Sequence, residues 1–362
     1  MFMFLHLFLL TLGATTPTTT ATADTATAAG RVSAVIVFGD SSVDAGNNNA
    51  IRTVLKSNFR PYGRDFMGGR PTGRFCNGRL ATDFLSERFG IKPSIPAYLD
   101  PAYDISDFAT GVCFASAGTG YDNATSDVLS VIPLWMELAY FKDYITKLKS
   151  HLGPMKATET LNEALYTISV GTNDFLENYY SSYSTRTSSR YSIGAYQDFL
   201  IHIAEKFILD IHALGARKVS LTGLLPMGCL PLERSTKAMS GKSTGCVEMY
   251  NKVARDFNVK LKGLAGKLRS EVPELRIVYS PLYDKLLDAI DHPSSYGFEN
   301  VDEGCCATGM FEMGYLCNSW NPFTCPDANK YVFWDAFHPT ERLNSILADY
   351  FMNTTLAEFL WS

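Results

Sequence analysis

Two short stretches near opposite ends of the chain carry a hydroxyl, a carboxylate and an imidazole, the side chains that acyl transfer requires. Ser41 lies in Gly39-Asp40-Ser41-Ser42, directly after an apolar run. Asp335 stands three residues before His338 in Asp335-Ala336-Phe337-His338-Pro339. At that spacing a carboxylate can accept from one ring nitrogen while the other faces a hydroxyl. A helix start just after His338 disfavours an imidazolium, and the nearby carboxylate offsets this. Each piece also has a plainer reading: Ser41 as a turn residue beside an Asx-type turn, Asp335 as a helix cap, His338 as a surface side chain.

Two further segments offer donors for a developing oxyanion. In Ser116-Ala117-Gly118-Thr119-Gly120 the absence of a Cβ at Gly118 allows a backbone N–H to approach a substrate closely. In Gly171-Thr172-Asn173-Asp174 the Asn173 amide can donate. The Ser41 N–H can serve alongside them. Taken singly, either segment is an ordinary turn.

These residues need elements to hold them. Ala34 to Phe38 is a continuous apolar, β-rich run closed by Gly39, as suits a strand buried on both faces. Similar runs occur at 165–170, 218–221 and 276–279, with a weaker one at 111–115. Helical spacing of apolar residues separates them. Phe199, Ile203, Phe207 and Ile211 precede Gly215 as a C-terminal stop; a second series runs from Val247 to Leu268; a last helix follows Pro339, with Thr340 as its cap. Strands alternating with helices predict an α/β fold, a three-layer α/β/α sandwich around a mostly parallel central sheet. Ser41 and Asn173 then both fall at strand carboxyl ends, where loops form a crevice. No repeat or linker divides the chain.

The amino terminus predicts export. Met1 to Leu12 is a short apolar run and a Thr/Ala tract follows, so residues 1–28 are expected to be a signal peptide and 29–362 a single hydrolase domain. The run is too short to span a bilayer, so stable membrane insertion is not expected. A secreted protein, extracellular or in the cell wall, allows the eight cysteines to form structural disulfides. Cys229 and Cys246 flank one segment, and Cys305, Cys306, Cys317 and Cys325 crowd another. No Cys-x-x-Cys pair suggests a metal. Asn123 and Asn353 are glycosylation acceptors. Lys and Arg total 32 against 37 Asp and Glu, without a basic stripe, which argues against a nucleic-acid partner.

The motifs together resemble the plant-type GDSL esterase/lipase family of the SGNH hydrolase superfamily. The resemblance rests on Phe38 to Asn48, Phe114 to Gly120, Gly171 to Asp174 and Asp335 to Thr340. Pro71 to Phe75, Leu225 to Pro231 and Gly304 to Cys306 add to it. It implies the SGNH hydrolase fold and hydrolysis of a small-molecule or lipid carboxylic ester through an acyl-enzyme. Ser41 would be the nucleophile, Asp335 and His338 the acid–base pair, and Ser41, Gly118 and Asn173 the oxyanion hole. No metal or organic cofactor is implied. The same residues would serve an acyltransferase or a polysaccharide deacetylase; a non-catalytic secreted binding protein on this fold is the remaining alternative. One position departs from the pattern: Cys113 stands where the family's second block commonly has Asn. It is expected either as a free buried thiol or paired with Cys76.

Two other features compete for attention. Gly241 to Gly245 fits a G-x-S-x-G elbow, and its Gly-Lys-Ser core echoes a phosphate loop. The elbow lacks a strand running directly into it, and the phosphate loop lacks its first Gly, whose place is taken by Thr236. Tyr179, Tyr180, Tyr183 and Tyr191 punctuate a Ser-rich stretch, expected to be a solvated loop rather than an acyl or glycan site.

Overall fold

The computed structural model describes residues 32–181, 185–241, 245–321 and 323–356. The expected signal segment, Tyr183 and the core of the Gly241–Gly245 elbow therefore lie outside the described residues.

The apolar runs form β1 (Val35–Gly39), β2 (Gly111–Cys113), β3 (Leu165–Ser169), β4 (Lys218–Thr222) and β5 (Arg276–Ser280). They pair in the order β2-β1-β3-β4-β5, parallel throughout. A sheet covered on both faces needs apolar side chains at every position, and β1 is buried along its whole length. Its alternation sends Ile36 and Phe38 to one face and Val35 and Val37 to the other.

The first face carries the larger core. It is covered by helices Leu134–Leu152, Pro154–Glu163, Ile193–Ala213, Glu248–Glu271 and Leu282–Asp291. The second face is covered by Ala81–Arg88 and by Ala348 and Phe351 of the last helix, Glu341–Asn353. The α/β/α sandwich predicted from the alternation of elements is the fold observed. Thr340 caps the last helix, its hydroxyl accepting from the Leu343 N–H.

The chain leaves β1 for β2 on one side and later returns to β3 on the other. In an open α/β sheet that reversal opens a crevice at the strand carboxyl ends. Ser41 follows β1, Gly118 follows β2 and Asn173 follows β3, so the topology gathers all three at one edge.

A second, two-stranded parallel sheet pairs β6 (Asn300–Gly304) with β7 (Tyr331–Phe333). The polar Asn-Val-Asp-Glu-Gly sequence of β6 carries no apolar period, which is why it was not visible in the pattern of residues. Beside it, disulfides Cys305–Cys325 and Cys306–Cys317 staple the intervening segment, and these cysteines pack with Tyr62, Phe75 and Trp334 in a small core. Cys229 and Cys246 are bonded as their flanking positions suggested. Cys76 and Cys113 are separate buried thiols, so of the two possibilities for Cys113 the free thiol holds.

Candidate active site

The turn that carries Ser41 begins where β1 ends. Gly39 has φ +143°, and a Cβ there would lie 1.9 Å from the Ser169 carbonyl oxygen, so only glycine lets β1 and β3 stay paired up to the turn. Asp40 then closes the turn, its Oδ1 accepting from the Ser42 N–H at 2.9 Å and the Ser42 hydroxyl at 2.7 Å. Burial pushes the Asp40 carboxyl up to about 6.

The structure brings Ser41, His338 and Asp335 together. His338 Nε2 lies 2.8 Å from Ser41 Oγ, and Nδ1 lies 2.9 and 2.8 Å from Asp335 Oδ1 and Oδ2. All three side chains are buried. The loop after β7 makes this possible by folding back on itself, with the Trp334 N–H donating to the His338 carbonyl. Asp335 Oδ1 also accepts from the Phe337 and His338 N–H groups at 2.8 and 2.6 Å. Phe75 lies against the imidazole at 4.9 Å between ring centroids. An imidazole gripped in this way presents Nε2 to the hydroxyl in one orientation.

Tyr62 is a residue that sequence reasoning missed. Its hydroxyl donates to Asp335 Oδ2 at 2.6 Å and accepts from the Gly314 N–H at 2.8 Å. Burial, with the adjacent Asp335 charge, holds the phenol far above its usual range, so it remains a donor. Nothing in Pro61-Tyr62-Gly63 signals this, because the contact spans 273 positions.

The expected oxyanion donors are also held from behind. The Ser41 and Gly118 N–H groups have no hydrogen-bond acceptor among the described residues. Gly118 has φ +90°, and an added Cβ would meet Leu55 at 2.7 Å. Asn173 Nδ2 donates one hydrogen to the Thr119 carbonyl at 3.0 Å, which fixes the amide and leaves a second N–H for a ligand oxygen.

The loops are tied to each other by the side chains after Ser41. Asp44 accepts from the Gly46 and Asn47 N–H groups through Oδ1 and from the Ala117 N–H through Oδ2. Asn47 donates to the Cys113 and Ala115 carbonyls, and Asn48 to that of Ala117. The departure at Cys113 is thus accommodated: its carbonyl takes the Asn47 amide and its thiol lies 3.2 Å from the Val43 carbonyl. Asp174 accepts from Tyr121, Asp122 and Thr125 and is pushed up to about 7 by burial. Arg74, in the Pro71–Phe75 stretch, grips buried Asp83 through two nitrogens at 2.8 and 2.9 Å and steadies the segment that carries Phe75.

A cavity opens beside Ser41 and His338, walled by Val170, Leu224, Leu225, Met227, Leu230 and Phe337. A nucleophile, a base, spare N–H donors and an apolar wall are the parts that acyl transfer uses. No cluster of His, Cys, Asp or Glu able to hold a metal occurs among the described residues, and no described helix is long and apolar enough to cross a membrane.

Tyr179, Tyr180 and Tyr191 do not lie in a solvated loop. Asp174–Tyr179 is a π-helical turn, Tyr179 stacks on Tyr196, Tyr180 packs on Tyr250 and Tyr191 on Phe199. Aromatic contacts with two later helices override the polar composition of the segment. Asn123 and Asn353 are both exposed, at the two ends of different helices.

Comparison with known proteins is consistent with this geometry. The family model described as GDSL-like Lipase/Acylhydrolase matches residues 35–351. Three Arabidopsis thaliana proteins, each named a GDSL esterase/lipase, are similar over most of their length. One is 60% identical over 93% of this chain and 95% of its own; another is 59% identical over 90% and 92%; a third is 58% identical over 90% and 91%.

Proposed function

The chain belongs to the GDSL-like lipase/acylhydrolase family, and from that premise we propose that it is a secreted carboxylic ester hydrolase with Ser41 as nucleophile. The observation that carries this reading is the 2.8 Å contact between Ser41 Oγ and His338 Nε2, with Asp335 behind the ring. His338 takes the Ser41 proton as the hydroxyl attacks the ester carbonyl, and Asp335 holds the resulting imidazolium. The Ser41 and Gly118 N–H groups and the Asn173 amide receive the developing oxyanion. His338 then protonates the departing alcohol, and water releases the acid from the acyl-enzyme. No step requires a metal or an organic cofactor. The substrate is a small-molecule or lipid ester.

Secretion is supported by the apolar leader expected over residues 1–28 and by three disulfides, which persist in oxidising compartments. Residues 29–362 are the single catalytic domain of this reading.

Fluorophosphonate labelling of the purified protein tests the nucleophile: modification is expected at Ser41 and absent from Ser41→Ala. An unlabelled Ser41 in folded protein would favour the non-catalytic binding role. Turnover of chromogenic esters with and without a competing alcohol then reports whether water is the acceptor. Predominant transfer to the alcohol would replace hydrolase by acyltransferase.

A further inference from the structure

Where β1 and the chain after β2 separate, a side chain takes the place of a strand. The Ser116 N–H donates to the Gly39 carbonyl at 2.9 Å, which continues the ladder set by Val37 and Cys113. In that register the Gly39 N–H would donate to the Phe114 carbonyl. It donates instead to Glu137 Oε2, at 2.9 Å. Glu137 is fully buried and comes from the first turn of the helix Leu134–Leu152. We infer that Glu137 is a positioning residue for ester hydrolysis, a strut that fixes the width of the oxyanion hole between the Ser41 turn and the Gly118–Asn173 side. The inference rests on Ser41 being the acylated residue.

The far end of the strut is anchored beside Gly118. The Thr119 hydroxyl donates to the Ile132 carbonyl at 2.6 Å, and the Ile132 N–H donates to Ser116 Oγ at 3.2 Å. These two bonds pin the lead-in of the helix to residues on either side of Gly118. The Thr119 carbonyl in turn takes one Asn173 amide hydrogen at 3.0 Å. The helix start, Gly118 and Asn173 are thus tied together, and Glu137 carries that assembly across to Gly39, two residues before Ser41. Spacing is what the strut controls: donors act when they lie about 3 Å from the forming oxyanion. A misplacement of about 1 Å can cost about 10²-fold in rate.

The chemistry of the side chain suits this role. Burial, with Asp44 and Asp40 nearby, holds the Glu137 carboxyl well above the carboxylate range, so it is a neutral acid. A neutral acid accepts through one oxygen and donates through the other. Oε2 accepts from Gly39, while Oε1 has no partner among the described residues and is free to carry the proton. The Thr119 hydroxyl lies beside the carboxyl, and its lone pair can receive that proton in a hydrogen bond. A carboxylate in this place would oppose negative charge growing on the substrate oxygen; a neutral acid holds the same geometry without that penalty.

The test measures kcat and KM for p-nitrophenyl acetate, and Ki for an alkyl trifluoromethyl ketone, in wild type and three variants. The ketone carbon bonds Ser41 Oγ, the serine proton passes to His338, and the carbonyl oxygen becomes an oxyanion on the same donors. Its Ki therefore reports on the hole whatever fraction of the enzyme is folded. Glu137→Leu removes both ends of the strut at similar volume; kcat is expected to fall at least about tenfold, with KM within about twofold and Ki rising in step. Glu137→Gln keeps an acceptor for Gly39 and a donor toward Thr119, and all three constants are expected within about twofold of wild type. Thr119→Val cuts the anchor without touching Gly39; kcat should fall at least about threefold with a matching rise in Ki, and this arm decides if the Leu variant does not fold. An unchanged Ki in folded Glu137→Leu, or in Thr119→Val where Leu does not fold, would overturn the assignment, as would a loss in Glu137→Gln equal to that in Glu137→Leu. No ester turnover by the wild type, with Ser41 unlabelled, would instead sink the esterase reading beneath it.

Discussion

Tyr62 donates its hydroxyl proton to Asp335 across 2.6 Å while accepting the Gly314 N–H, so the carboxylate behind His338 is fixed by a residue near the other end of the chain. With the Phe337 and His338 N–H groups on Oδ1, both carboxylate oxygens are occupied before the imidazole is counted. A carboxylate so held cannot swing away from the ring, and the imidazole orientation follows from that.

Tyr62→Phe should therefore reduce turnover without abolishing it. The variant removes one charge-assisted hydrogen bond and leaves the buried Gly314 N–H unpaired, a loss of about 1–3 kcal/mol in stability. The expected kinetic result is a fall in kcat of about tenfold with KM little changed. Steady-state kinetics on a short ester, beside a thermal melt, checks both. A melting temperature that falls while kcat holds would reduce Tyr62 to a core residue.

The proposed oxyanion donors predict a different pattern. Asn173→Ala removes one donor and should lower kcat about 10²–10³-fold. Fluorophosphonate labelling of Ser41 should survive better than turnover, because the base and nucleophile remain. Gly118→Ala should be harmed at a second level, since its φ of +90° is unfavourable for alanine and the new methyl meets Leu55. Near-normal turnover of a chromogenic ester by folded Asn173→Ala would remove it from the mechanism.

The five strands were legible because a parallel sheet covered on both sides demands unbroken apolar runs, as Val35 to Phe38 show. The ends of those strands then pointed to Ser41 and Asn173. What was not legible depends on contacts between distant segments. Strand β6 is polar, and it forms against β7 beside two disulfides. Tyr62 has no local signature, since its partner is hundreds of positions away; Asp44 and Phe75 lie in stretches that carry the resemblance, but their contacts with Ala117 and His338 are not readable from those stretches alone. Tyr179, Tyr180 and Tyr191 were hidden for the same reason: their Ser-rich surroundings are polar, but their partners lie on the helices at 193–213 and 248–271.

The Cys306–Cys317 bond closes the loop containing Gly314, and hence the Tyr62 contact. Replacing both cysteines with Ala should cost about 2–4 kcal/mol of stability. It should also slow ester turnover, because Gly314 loses its tether and Tyr62 its acceptor role. Removal of Cys229–Cys246, which closes a loop away from Tyr62 but next to the cavity wall at Met227 and Leu230, should lower the melting temperature and act on KM more than on kcat. Paired melts and rate measurements on the two double variants check the contrast. Equal kinetic losses would show that the loop does not act through Tyr62.

Four buried carboxyls around the Ser41 turn and the loops packed on it make stability depend on pH. Burial pushes Asp40 and Asp44 up to about 6, Asp174 up to about 7 and Glu137 well above the carboxylate range. Each folded-state value lies above its ordinary value near 4, so the folded protein holds protons that the unfolded chain has released. The contribution of these four groups is therefore fully present below about pH 4 and falls as pH rises toward 7, by up to about 1.4 kcal/mol per pH unit for each such group. Glu137 isolates the effect. Its Oε2 accepts the Gly39 N–H at 2.9 Å and its Oε1 has no partner among the described residues, so glutamine can keep the one bond and stay neutral. Glu137→Gln should match wild type near pH 4 and exceed it near pH 8, measured as melting temperature across that range. Parallel profiles for the two proteins would mean that Glu137 is not held protonated behind Gly39.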